Sequence, residues 1–248
     1  MRNPDREQVF KFKQFEVLNR ISAMKVGTDG VLIGGWAFRS LPPEYVGNAA
    51  DVGCGSGVIA LMLAQRFKNL TIEGIEIEIE AAKEAYYNFA NSPWERRLTV
   101  CNTDYGVFAE KRDECTLNLI ISNPPYFQNG ALAPDMTRRI ARHEGNLNFK
   151  MLIETSEKLL SDHGRLAMII PSEHIETVRK ENLSGQLHLD RICWVSTVPR
   201  KPPKRIMIEF VKSDTDQVCQ EEHLTIHSAS GDFTDEYRKL LTDFYLRF

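Results

Sequence analysis

The chain has 248 residues, 42% of them hydrophobic, and its 31 Lys and Arg against 34 Asp and Glu leave a formal charge of -3. That is enough apolar material for a sizeable core, which excludes a disordered chain, and the charge excludes a protein that is basic all over while leaving room for a local basic face. No run of about 18 apolar residues exists to span a membrane, and the start, Met1 to Arg6, leads into no apolar signal core. The five cysteines (Cys54, Cys101, Cys115, Cys193, Cys219) form no C-x-x-C pair. They read as small buried thiols of a reducing compartment, so a cytoplasmic protein is expected.

Val9 to Val17 opens the chain of predicted elements. Phe10 and Phe12 alternate with Lys11 and Lys13, and Phe15 and Val17 suit a return strand. The pattern predicts a hairpin that buries its aromatics, or a basic-aromatic edge near a nucleic acid. In Lys25 to Gly30, Thr28 or Asp29 is a good N-cap for a helix over Val31 to Phe38. A helix N-terminus attracts anions such as a carboxylate, so Thr28 is a candidate cofactor contact.

Ala49 to Gly57 reads as a short strand running into a glycine-rich turn, followed by a helix from Val58 to Phe67. Glycines permit positive φ and let a ligand lie against bare backbone. A dinucleotide fingerprint needs a third glycine where Val58 stands, and Asp51 would repel a pyrophosphate. A ligand with an ammonium group and no phosphate, such as S-adenosylmethionine, fits Asp51, Gly53, Gly55 and Gly57 better; an NAD-dependent oxidoreductase fits worse. The next strand, Thr71 to Ile75, ends at Glu76, 19 residues beyond Gly57. An acid at about that distance commonly binds ribose hydroxyls, with Glu78 as rival. A helix over Ile79 to Asn91 and a strand over Leu98 to Asn102 follow. Asp104, after that strand, is a candidate acceptor for an adenine amine.

Leu117 to Ile121, then Ser122, predicts a buried parallel strand that stops at Asn123-Pro124-Pro125-Tyr126. Prolines carry no N–H, so this turn presents carbonyl acceptors. The Asn123 side-chain oxygen and the Pro124 carbonyl can accept both hydrogens of one planar amine, and Tyr126 offers a flat face to its ring. Two acceptors pulling on those hydrogens return electron density to a nitrogen whose lone pair is otherwise delocalised.

Phe127 to Asn148 reads as a long loop beside the site. Its Arg138, Arg139 and Arg142 are candidates to grip a polyanion. Beyond it come a helix (Phe149 to Leu160), a turn at Ser161 to Gly164, a strand (Arg165 to Ile170) and a helix capped by Ser172 through Leu183. A strand pair, His188 to Val198 and Arg205 to Val211, flanks a stiff loop where Arg200, Lys201, Lys204 and Arg205 cluster, the composition of a phosphate contact. A strand at Leu224 to Ile226 and a helix at Asp235 to Leu246 complete the chain. His223 and His227 have no third ligand or cysteine pair beside them, so no metal is expected.

Taken together, Asp51 to Gly57 and Ile120 to Tyr126 resemble the class I S-adenosylmethionine-dependent methyltransferases. More narrowly, Phe12 to Phe15, Ala23 to Gly30, Asn91 to Trp94 and Phe244-Tyr245 make the chain similar to the bacterial tRNA(Val) adenine-N6 methyltransferase family, which modifies adenine 37 beside the anticodon. The resemblance implies an α/β Rossmann-like fold, a seven-stranded mostly parallel sheet with an antiparallel last strand, and helices on both faces. It implies cofactor contacts at Asp51, Gly53, Gly55, Glu76, Asp104 and Asn123, amine contacts at Asn123 and Pro124, and tRNA as partner. One domain over 1–248 is expected, with 1–47 an N-terminal extension of hairpin and helix and 48–248 the core, acting as a monomer. Other amine or amide substrates (protein glutamine, ribosomal RNA, a DNA base) and a catalytically idle RNA-binding module stay open at this point.

Overall fold

The computed structural model describes residues 9–20, 25–125, 148–181, 185–215 and 218–248. Ten strands and seven α-helices are built from them. β1 (Val9–Lys11) and β2 (Glu16–Leu18) pair as the antiparallel hairpin. α1 (Thr28–Trp36) leads to β3 (Val46–Val52), α2 (Val58–Arg66), β4 (Asn69–Glu76), α3 (Ile79–Ala90) and β5 (Leu98–Asn102). α4 (Tyr105–Glu110), β6 (Leu117–Ser122), α5 (Phe149–Leu159), β7 (Leu160–Pro171) and α6 (Ile175–Glu181) follow. β8 (Leu187–Ser196), β9 (Arg205–Lys212), β10 (Gln220–Thr225) and α7 (Asp235–Leu241) close the chain.

β3 to β10 form one eight-stranded sheet in the order β10-β8-β9-β7-β6-β3-β4-β5. Only β9 runs against the rest, between β7 and β8. The expected seven strands with an antiparallel last member are β3 to β9; the eighth is β10, which adds in parallel to the edge of β8. That strand lies four residues earlier than the Leu224 to Ile226 reading, because Gln220 to His223 are polar and exposed and carry no apolar signal.

The middle strands are near-continuous apolar runs because helices cover both their faces. Leu119 and Ile121 of β6, with Ala167 and Ile169 of β7, join the core beneath α1, α2 and α7. Their alternates Ile120, Leu166, Met168 and Ile170 join the opposite core, beneath α4, α5 and α6. The hairpin is no loose extension: Phe12, Phe15 and Val17 are buried in the first of these cores. Phe12 stacks on Phe15 with centroids 4.4 Å apart and bridges to Tyr245, while Phe15 meets Trp94 edge-on at 5.6 Å. Lys13 N–H donates to Phe244 O at 2.8 Å.

Two helix starts differ from expectation. α1 begins at Thr28 itself, with Gly27 in the cap position and no side-chain cap, so Thr28 and Asp29 are helical rather than capping. Ser172 opens a short 3-10 turn, and its hydroxyl donates to Pro203 O at 2.6 Å instead of capping. The turn read at Ser161 to Gly164 lies within β7, which pairs with β6 across a register shift.

Candidate active site

Four parallel strands finish together. The register sets Val52 beside both Ile75 and Ser122, and Glu76 beside Asn102. The carboxyl ends of β6, β3, β4 and β5 therefore share one edge, with neighbours about 4.8 Å apart. Such an edge is where open parallel sheets take ligands.

The turn after β3 holds Gly53, Gly55 and Gly57 at φ of 70°, 54° and 81°. Side chains rarely adopt that left-handed region. Two of these glycines have different surroundings. A Cβ on Gly53 would meet nothing within 4 Å, so its backbone faces open space; one on Gly57 would land 2.4 Å from a ring carbon of Phe89, so Gly57 lets α3 close against the turn.

Glu76 and Glu78 differ in their surroundings. Its carboxylate is buried and accepts from Gly55 N–H at 2.8 Å and Glu78 N–H at 2.9 Å, which fixes it against the glycine turn. Burial raises its pKa, opposed by the hydrogen bonds from Glu78, Gly55 and Ile77. A carboxylate has about four acceptor sites, so room remains for a ligand hydroxyl. Glu78 is half-buried and sits at the start of α3.

Asp51 is fully buried. Its Oδ2 accepts Ala60 N–H of α2 at 3.0 Å, while Oδ1 is buried with no hydrogen-bond partner among the described residues. Burial pushes its carboxyl up to about 7; the Ala60 hydrogen bond opposes this and the Glu76 charge adds to it. Asp104 caps α4, a helix absent from the expectations, through Oδ1 bonds from Gly106 N–H at 2.7 Å and Val107 N–H at 3.3 Å. Its Oδ2 has no protein donor among the described residues.

Asn123 and Pro124 follow β6 directly and are both buried, Pro125 exposed. Just before them the Ser122 hydroxyl donates to Val52 O at 2.8 Å, tying the end of β6 to that of β3. Tyr126, Arg138, Arg139 and Arg142 lie outside the described residues.

The remaining candidates sit on the other half of the same edge. Thr28 makes no hydrogen bond to the glycine turn and lines a separate cavity with Asp29, Lys204 and Arg205. Arg200, Lys201 and Lys204 are exposed and form no ion pair among the described residues, whereas Arg205 is held by Asp29 at 2.7 Å.

Asn88 went unnoticed in the sequence. Its amide donates to Ser56 O at 2.8 Å and Leu18 O at 2.9 Å, and its oxygen accepts Leu18 N–H at 2.8 Å, so it ties the glycine turn to the hairpin. A lone amide on the buried face of a helix was the available signal. Ile77, 37% exposed just after Glu76, adds an apolar surface at the strand end.

The unmatched buried oxygen of Asp51, the open backbone at Gly53 and the carboxylate of Glu76 suit a cationic nucleoside ligand, whose ammonium and hydroxyls donate, and disfavour a pyrophosphate. S-adenosyl-L-methionine has that chemistry, and these residues fit it.

The model of the family described as Methyltransferase small domain matches residues 37–184. A tRNA1(Val) (adenine(37)-N6)-methyltransferase of Bacteroides fragilis is 39% identical over 240 residues, covering 96% of this chain and 98% of that one. The chain belongs to the tRNA1(Val) (adenine(37)-N6)-methyltransferase family. Relatives of the same name from Porphyromonas gingivalis (39% identical, 96% and 94% covered) and Vibrio parahaemolyticus (37%, 96% and 95%) show that the likeness spans both hairpin and sheet. Among solved structures, a predicted O-methyltransferase from Agrobacterium tumefaciens superposes with a TM-score of 0.70 at 17% identity, over 87% of this chain and 96% of that one. It carries the fold alone. For this family member, no group of three or more His, Cys, Asp or Glu among the described residues is placed to hold a metal ion. No described helix is long and apolar enough to cross a membrane.

Proposed function

We propose that the chain methylates N6 of adenine 37 in tRNA1(Val), using S-adenosyl-L-methionine held at the glycine turn. One observation carries the reading: the pairing of Val52 with Ser122 sets Asn123 and Pro124 next to Gly53, so an amine-accepting lip and a cofactor cleft adjoin. The names of the curated relatives support the RNA and the position. S-adenosyl-L-methionine, when bound, supplies the methyl group as an electrophilic carbon on a positively charged sulfur.

The chain's own residues supply position. Glu76 would hold the cofactor's ribose and Asp104 would accept from its adenine amine. Asn123 and Pro124 accept the two hydrogens of the target amine, which raises electron density on nitrogen and aims its lone pair. Tyr126 stacks on the target ring, which has left its own stack, at least cost in an unpaired loop. No covalent intermediate on the protein is needed. Arg138, Arg139, Arg142, Arg200, Lys201 and Lys204 contact phosphates, while Arg205 positions Asp29. Total RNA incubated with methyl-labelled cofactor and digested should yield labelled N6-methyladenosine in the tRNA fraction. Label confined to protein, or to another nucleoside, would overturn the assignment.

Asp51 gives a pH signature. Its folded-state carboxyl titrates near 7 against an ordinary value near 3.9. The fold thus opposes ionisation, and the cost to stability accumulates from about pH 4 to 7 and is full above. A bound ammonium relieves that cost. Cofactor affinity should therefore rise roughly fivefold to tenfold between pH 6 and 7.5. Asp51→Asn keeps an acceptor for Ala60 N–H; it should melt higher than the parent at alkaline pH and bind cofactor weakly without pH dependence. Calorimetry at both pH values checks this, and a flat profile in the parent would remove Asp51 from the ammonium contact.

A further inference from the structure

A second cavity of about 550 Å³ opens on the same edge of the sheet. Its floor comes from the end of β8 (Val195), the start of β9 (Lys204, Arg205) and the segment after β10 (Ile226, His227). From Asn123 at the end of β6 this is two to four strand spacings across the sheet, about 10–19 Å. The first turn of α1 forms part of the cavity wall. Thr28 and Asp29 line it, while Gly30 packs on the start of α2, 3.6 Å from Val58 in terms of an added Cβ.

Nothing in the transfer described above uses this cavity, yet it is built for a particular chemistry. One wall is a ladder of parallel rings: His227 on Phe233 at 4.8 Å and 24°, and Phe233 on Tyr237 at 5.0 Å and 18°. Phe10 and Tyr245, 6.2 Å apart, complete the aromatic lining. His227 Nδ1 is buried with no hydrogen-bond partner among the described residues. The rim carries Lys204 and Arg247, both exposed and without an ion pair among the described residues. Asp29 is the one acid of the lining, and Arg205 neutralises it at 2.7 Å. A flat ring attached to an anion satisfies all of these features. An aliphatic ligand leaves the rings without a stacking partner, and a cationic one is repelled by Lys204 and Arg247 at the rim.

We propose that this cavity takes a second unpaired nucleotide of the substrate RNA, a neighbour of the target adenine in the same loop. Its base packs against the aromatic lining, of which Phe10 is the most exposed ring and Phe233 the centre that holds the stack in place, and its phosphate meets Lys204 and Arg247. The proposal rests on RNA being the substrate. Aromatic stacking is sequence-tolerant, so the cavity measures the distance from the target to an unpaired neighbour rather than reading that neighbour's identity. Discrimination against a structured adenine follows, because a paired neighbour cannot enter.

The test uses the full chain and an anticodon stem-loop carrying abasic sites placed singly on either side of the target. Wild type should show one flanking position where loss of the base raises KM about 5- to 100-fold with kcat held. In Phe233→Leu that position should lose its effect. Lys204→Ala with Arg247→Ala, both surface changes, should raise KM for the intact stem-loop and reduce the salt slope of binding by about 1–2 while leaving cofactor affinity unchanged. If wild type methylates the stem-loop but tolerates every flanking abasic site, or if the double variant keeps its KM and salt slope, the cavity has no nucleotide role and the methylation reading stands. If wild type transfers no methyl group to any RNA, both readings fall.

Discussion

Asn123→Ala is expected to lower single-turnover methylation of tRNA by about 10²–10³-fold while cofactor affinity stays within about twofold of the parent. The magnitude is that of removing one aligned polar group that acts mainly in the transition state. The nitrogen to be methylated is a weak nucleophile, and the side-chain oxygen is one of the two acceptors that strengthen it. Pro124 keeps its backbone carbonyl in the variant, so catalysis falls rather than vanishes. Asn123 is only 9% exposed, so truncation also threatens packing. A melting curve and a cofactor titration therefore accompany the rate. Asn123→Asp keeps acceptor oxygens in place and should fall between parent and Ala. Turnover near that of the parent in Asn123→Ala, with folding intact, would end the assigned role.

Much of this site was readable from residue order because each part follows a strand. A β-strand that stops at a glycine turn, an acid or a double proline delivers those residues to one sheet edge, whatever the details of packing. Glu76 and Glu78 look alike in the sequence because both are acids at a strand end; in space Glu76 is the one tied to the glycine turn, by Gly55 N–H at 2.8 Å. Asp104 shows the reverse: a side chain marked for ligand contact spends one oxygen capping a helix that six residues of weak pattern did not announce. The pieces Phe12 to Phe15, Trp94 and Tyr245 looked like scattered family marks. In space they are one aromatic contact that clamps both ends of the chain together. The second cavity was illegible, since its rings and cations come from five separate segments. Its Lys204 was marked only as part of a charged loop.

The largest stability effect is expected at a residue far from any ligand. Glu209, in the middle of the antiparallel strand β9, is completely buried. Its Oε1 meets Arg165 at 2.6 Å, its Oε2 faces Arg191 at 3.4 Å, and the same Oε2 accepts Phe38 N–H at 2.9 Å just past α1. Arg165 also holds Asp190 at 2.6 Å, and Arg191 holds Glu222 at 2.9 Å and lies 4.4 Å above the Trp36 ring. The carboxylate thus joins β7, β8 and β9 to the end of the helix whose first turn lines the second cavity. Glu209→Ala leaves two guanidinium groups partly buried with one acceptor fewer each and strands the Phe38 N–H. Loss of one member of such a buried set costs about 3–5 kcal/mol, a large share of the 5–15 kcal/mol by which a domain is usually stable. Glu209→Gln keeps an acceptor for Phe38 and should cost less. Urea unfolding should show a lower midpoint for Ala than for Gln, with the slope unchanged if the ligand-free fold is otherwise preserved. A midpoint for Glu209→Ala equal to the parent's would mean that the two arginines find solvent or other partners without strain, and that α1 is held by its apolar face alone.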